Sequence, residues 1–268
     1  MFDFLEYAFM QNAIIAALLV SVAAGVIGVF VVVNRLVFVS GGIAHAAYGG
    51  VGLGTYLGLS PVFGAFVFTF CAALGMGFVQ RRAGERADTI IGVLWAVGMA
   101  LGVIFLELSP GFRGDLMSYL FGSILMVPDQ DLWWMLAFDL LIVTVVALFY
   151  RQLVAVSFDA RFATVRNLPV GALQTLLTAL IAITIVLMMR VVGLILVIAL
   201  LTIPVAVAGW FVSDLKRWMF AAILCAAVFT LGGLWLSYLL DLSSGATIIA
   251  LAGAVYLPGV ALRSLYRK

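Results

Sequence analysis

Apolar runs recur along the whole chain, separated by short polar punctuation, and none shows the strict two-residue alternation of a half-buried strand. The runs fall at about 13–33, 36–58, 61–79, 89–108, 131–150, 171–189, 191–211, 218–238 and 244–262. Roughly 20 apolar residues suffice to cross a bilayer. The pattern therefore predicts an all-α, polytopic helical membrane protein with about nine transmembrane helices, forming a single domain over 1–268. Arg190 is the only charge between the sixth and seventh runs, so these two could instead form one bent or re-entrant unit, leaving eight spans. Hydrophobic residues make up 66% of the chain and charged residues 10%, which excludes an ordinary soluble domain. A membrane β-barrel needs short alternating segments, which are absent.

The few charges set an orientation, because cytoplasmic loops collect Lys and Arg. With the chain end inside, nine crossings put Arg35, Arg81, Arg82, Arg86, Arg151, Arg161, Arg166, Lys216, Arg217, Arg263, Arg267 and Lys268 on the cytoplasmic side, twelve of the fourteen basic residues. Only Arg113 and Arg190 fall outside, and the acidic start with Asp3 and Glu6 is external. That start lacks a basic region, so no cleavable signal peptide is expected.

Two connections are longer than the rest. The outer one, about 109–130, carries Pro110, Gly111 and Arg113, then an apolar stub from Leu116 to Val127 that is too short to span; a surface or re-entrant half-helix is expected there. The inner one reads as a short amphipathic helix over about 157–168. Ser157 is its expected N-cap, Asp159 falls in the first turn, Arg166 suits the helix dipole, and Phe158, Phe162 and Val165 share a face. Such a helix could lie in the headgroups as a linker or dock into the groove of a soluble partner.

Candidate chemistry is sparse. His45, the only histidine, lies inside an apolar run, flanked by Gly41, Gly42, Gly49 and Gly50, small residues that let neighbouring helices approach closely. A polar group in hydrocarbon is expensive unless it faces a bundle interior or a wet cavity, so the run is expected to line a pore with His45 in the path. Tyr48 could line the same path or pack in it. Asp139 lies within the fifth run, where a carboxylate is costly; it belongs either to the path or to an interhelical hydrogen bond with a Ser or Thr. Glu107, Asp115, Asp129, Asp131 and Asp241 form an outer acidic rim that is solvated or attracts cations. Met76, Met99, Met117, Met188, Met189, Cys71 and Cys225 share no ligand spacing and are expected in packing roles. Pro204 is expected to kink its helix.

Four stretches, taken together, resemble the metal-ion permeases of ABC importers, the group that takes up zinc, manganese or iron. They are Ser40-Gly41-Gly42-Ile43-Ala44-His45-Ala46; the stretch from Glu85 to Gly102; Asp115 to Leu125 joined with Val156-Ser157-Phe158-Asp159; and Arg190 to Pro204, echoed by Asp241 to Thr247. They run in family order over most of the chain. The resemblance implies a dimer of this chain, or of it with a sister permease, in a prokaryotic cell (inner) membrane. The dimer would sit on two ABC ATPase subunits and accept metal from an extracytoplasmic binding protein. No cofactor would be bound permanently and no nucleic acid engaged; the divalent metal is cargo. The family's coupling helix matches Ser157, Phe158, Asp159, Phe162 and Leu168. The chain itself would not be an enzyme, and it carries no phosphate-binding Gly-x-x-x-x-Gly-Lys-Ser/Thr loop.

One position departs from the family. Many members have an aspartate four residues before the histidine, one helical turn away on the same face; here Gly41 stands there. Imidazole suits zinc or iron, and oxygen-rich sites suit manganese. The alternatives are a permease for a metal chelate such as a siderophore or cobalamin, whose members are longer, and an ATP-independent carrier, which would need more intramembrane charges. An intramembrane hydrolase lacks its nucleophile–base pair.

Overall fold

The computed structural model describes residues 7–83, 87–109, 122–194 and 197–266. Ten helices follow one another there: α1 (Ala8–Val33), α2 (Val37–Tyr56), α3 (Pro61–Ala83), α4 (Ala87–Leu108), α5 (Asp129–Phe158), α6 (Ala160–Val165), α7 (Val170–Val192), α8 (Val197–Ala208), α9 (Leu215–Leu240) and α10 (Ser244–Tyr266). A single 3-10 turn, Ile124–Met126, precedes α5. No strand occurs among the described residues. The acidic start, Glu85, Arg86, Arg113, Asp115, Arg267, Lys268 and the apolar stub before Gly122 lie outside them.

Seven helices are long and apolar enough to cross a membrane: α1, α3, α4, α5, α7, α9 and α10. Their outer faces carry exposed Leu, Val, Phe and Trp, such as Leu140, Leu148, Phe220 and Leu257, as lipid requires. α2 has the length to span, at 20 residues or about 30 Å, but is less apolar. It needs no lipid-facing stripe, because Val39 through Gly52 are all buried within the bundle, between α4 on one side and α3 on the other.

The passes alternate between two ends. At one end Asn34 donates to the Ser157 hydroxyl (2.9 Å), Lys216 lies over the Tyr150 ring (5.0 Å), and Arg263 donates to the Trp210 carbonyl. At the other, Asn12 donates to the Asp129 carboxylate and the Val127 carbonyl, and the Ile124 amide donates to the Ser244 hydroxyl (3.3 Å). Arg35, Arg81, Arg82, Arg151, Lys216 and Arg263 thus collect at one end, and Asp129, Asp131 and Asp241 at the other.

Around α1 the core is built from small side chains. A Cβ on Gly25 would meet the Ile223 amide nitrogen of α9 at 2.5 Å, and one on Gly28 the Leu201 carbonyl of α8 at 2.4 Å. With no water to expel, such backbone-to-backbone approach is what holds membrane helices together. Ser21 and Thr230 add an interhelical hydroxyl pair at 3.0 Å, and each also returns a bond to its own helix.

Three segments differ in extent from the sequence pattern. The run 191–211 is divided: Val191 and Val192 complete α7, Gly193 turns the chain at φ 81°, and α8 has only 12 residues, about 18 Å, with Pro204 inside it. The expected half-helix in 109–130 is described only from Gly122 onward, and there it is one 3-10 turn followed by the start of α5 at Asp129. The inner amphipathic helix is shorter than 157–168 and capped two residues later. Ser157 accepts the bond from Asn34, so α5 runs on to Phe158, and the Asp159 carboxylate caps α6 by accepting from the Phe162 amide at 2.9 Å. Leu168 lies beyond α6, in the connection to α7.

Candidate functional site

The face of α2 that meets α4 carries Gly41, His45, Tyr48 and Gly52, spaced by four, three and four residues as one helical stripe requires. Glycine lets the two helices touch. A Cβ on Gly49 would meet the Gly98 carbonyl at 2.7 Å, and one on Gly52 would meet the Gly102 carbonyl at 2.3 Å. From the α4 side, a Cβ on Gly102 would meet the Tyr48 carbonyl at 2.6 Å. α2 and α4 therefore run parallel in a register fixed by glycine pairs. Gly50 does the same towards α3, where its Cβ would meet the Gly64 carbonyl at 2.5 Å; Gly42 faces Ile91 and Met76.

This register sets His45 against Trp95. The two rings stack at 4.3 Å between centroids with planes 15° apart. Trp95 is held in turn by its Nε1 donating to the Met99 sulfur (3.3 Å) and by Phe38, tilted against it at 6.0 Å. His45 is 9% exposed, and among the described residues neither ring nitrogen has a hydrogen-bond partner. One face of the imidazole is thus covered while its nitrogen-bearing edge stays unengaged. Tyr48 is 4% exposed, three residues towards the acidic end, and packs with Met189 and Leu194. Its ring shares the stripe with His45, but no bond joins the two.

Asp139 is not brought to His45. It lies on the buried stripe of α5 with Met135, Ile142 and Val146, and α5 packs on α1 and α7. The carboxylate is 4% exposed, and neither oxygen has a hydrogen-bond partner, so the expected bond to a Ser or Thr is not made. Met76 and Met188 are core residues, and Cys71 and Cys225 are both free thiols. No group of three or more His, Cys, Asp or Glu side chains stands together among the described residues.

The third element of interest is α6, at the basic end. Phe158, Phe162 and Val165 are 67%, 53% and 81% exposed, an apolar knob off the bundle, while Ala163 is fully buried beneath it. The Arg166 guanidinium sits 5.4 Å from the centre of the Phe162 ring.

Trp95 is the residue that the sequence did not single out. The signal was present in the small-residue spacing: Gly98 and Gly102 on α4 answer Gly49 and Gly52 on α2, and that register, once assumed, puts Trp95 level with His45.

Similar proteins cover nearly the whole chain. An uncharacterised membrane protein of Synechocystis sp. is 54% identical over 259 residues, covering 97% of this chain and 92% of that protein. The manganese transport system membrane protein MntC of Listeria monocytogenes is 32% identical over 252 residues, covering 94% and 90%. Among solved structures, PsaBC from Streptococcus pneumoniae, in complex with a Fab, superposes with a TM-score of 0.86 at 32% identity, over 95% of this chain and 92% of that one. The profile of the ABC 3 transport family matches residues 6–263, from before α1 to the last turns of α10, and this chain is a permease of that family.

Proposed function

We propose that this chain is the membrane subunit of an ATP-driven importer that carries a divalent transition metal ion (zinc, manganese or iron) into the cytoplasm. One observation carries the reading: the only imidazole in the chain is held inside the bundle with its nitrogens unengaged. An ionisable ring inside a membrane bundle is rare and marks a transport path by default. Metal is the cargo that imidazole nitrogen suits, and relatives named as manganese transport proteins support that class.

The basic end, with Arg35, Arg81, Arg151 and Lys216, would face the cytoplasm, since cytoplasmic loops gather such residues. The start of the chain would then lie outside and its end inside. The α6 knob is on the cytoplasmic side in this orientation. Phe158, Asp159 and Phe162 would dock in a groove of a separate ABC ATPase, in the helix-in-groove manner. The acidic end would receive metal from an extracytoplasmic binding protein. Two permeases, either copies of this chain or one copy with a sister, would enclose the path. ATP-driven approach of the two α6 knobs would tilt the bundles and expose His45 first to one side and then to the other.

The test is metal-dependent stimulation of ATPase activity in the reconstituted complex with its binding protein, comparing zinc, manganese and ferrous iron. Stimulation by one of them is expected in the wild type and its loss in His45→Ala, at an unchanged melting temperature. Full stimulation of His45→Ala would remove His45 from the path.

A further inference from the structure

We infer that Trp95 is a specificity-determining residue of the His45 site, and that the pair favours imidazole-seeking divalent ions, zinc and ferrous iron, over manganese. The inference rests on the metal path proposed above.

The first observation is what surrounds the imidazole. The helices that pack on α2 are α1, α3, α4, α7 and α8. Their described residues include two carboxylates, Asp88 and Glu107, one in the first turn of α4 and one in the last. Along the α4 axis these stand about 10 Å and 18 Å from Trp95, and both are exposed. Asp139 is on α5, which packs on α1 and α7. Among the described residues of one protomer, a cation passing His45 therefore meets a nitrogen ligand and an aromatic face, with no carboxylate on the helices that pack on α2 nearer than Asp88 and Glu107.

The second observation is where the indole lies. It stacks on His45, and its Cζ3 atom is 3.8 Å from where a Cβ on Gly41 would stand. Gly41 and His45 are one turn apart on the same face of α2, so Trp95 spans both and fills the space that a larger side chain at 41 would share. Trp95, Gly41 and Phe38 also wall a cavity of about 550 Å³ that opens towards Arg35 at the basic end and that His45 does not line. The indole is the surface common to the histidine and the cavity.

The chemistry follows from these two facts. Face-on stacking fixes the plane of the imidazole and leaves its nitrogen edge free to coordinate. A nitrogen site binds manganese most weakly among the first-row divalent ions and zinc and iron more tightly, whereas carboxylate oxygen suits manganese. The indole face adds attraction for any cation but no discrimination of its own. Its part is to hold the imidazole edge in one direction.

The experiment uses the reconstituted full complex and reads kcat/KM for ATPase stimulation by zinc and by manganese. The wild type should favour zinc. Trp95→Ala should raise KM for zinc about tenfold with kcat within about twofold, and bring the zinc-to-manganese ratio near one; Trp95→Phe, which restores a ring, should recover most of that ratio. Gly41→Asp supplies a carboxylate one turn from His45. Its Cβ would meet the Ile198 Cδ1 at 2.9 Å, the free end of a flexible chain that can rotate away. This variant should shift the ratio at least tenfold towards manganese. If Trp95→Ala does not fold, Trp95→Phe and Gly41→Asp carry the test. A wild type that prefers manganese, or a ratio unmoved by Trp95→Ala or by Gly41→Asp, overturns the inference. The role of His45 survives that outcome as long as His45→Ala is inactive; an active His45→Ala overturns the path itself.

Discussion

Gly52→Ala tests whether the α2–α4 seam places the site. The added methyl would stand 2.3 Å from the Gly102 carbonyl oxygen and 2.9 Å from the Gly102 Cα and carbonyl carbon. All three are backbone atoms, so no side-chain rotation relieves the contact and the helices must part by about 1 Å to reach van der Waals distance. Overpacking of this kind costs about 1–3 kcal/mol. Against it stands the helix preference for alanine over glycine, about 1 kcal/mol in the other direction. Gly75→Ala on α3 isolates that second term, because a Cβ there meets nothing within 4 Å. The two variants should therefore differ by about 1–3 kcal/mol, with Gly52→Ala the less stable, in thermal unfolding of the purified protein in one detergent. The displacement also reaches the site. His45 lies seven residues, about 10 Å, along α2 from Gly52, and a gap of 0.5–1 Å forfeits about a quarter to a half of a contact's attraction. Metal-stimulated ATPase activity should fall in Gly52→Ala and stay at the wild-type level in Gly75→Ala. Equal melting temperatures for the two alanine variants would refute the close approach.

Two further outcomes follow from particular side chains. Phe158→Asp places a charge on a ring that is 67% exposed, so melting should be unchanged while ATPase coupling is lost; intact co-purification with the ATPase and normal stimulation would refute the docking role of the knob. Asp139→Leu removes two buried oxygens that have no hydrogen-bond partner and should raise the unfolding free energy by about 1–3 kcal/mol; a lowered melting temperature would reveal a partner for the carboxylate in the assembled protein.

The sequence reveals the spans well because lipid leaves the backbone no alternative to the helix, and each apolar run must close its own hydrogen bonds. It is less informative wherever a distant partner decides. Ser157 reads as an N-cap from local pattern, but Asn34, 123 residues away, takes its hydroxyl, and the cap passes to Asp159. The run from 191 to 211 is apolar throughout, and only the backbone at Gly193 tells that it breaks. The site shows the same division. His45 stands out by composition alone, as a solitary ionisable ring in a glycine-rich helix. Trp95 does not, because nothing in an apolar stretch marks one aromatic residue above another until the neighbouring helix is in place. The information that pairs the two is carried by glycines: Gly49 and Gly52 accept the backbone at Gly98 and Gly102 and no other register of α4 would let both pairs touch. The small residues thus do more than permit close packing. They determine which side chain of α4 meets the histidine, and a shift of one turn along either helix would set Ile91 or Met99, rather than an indole, beside the imidazole.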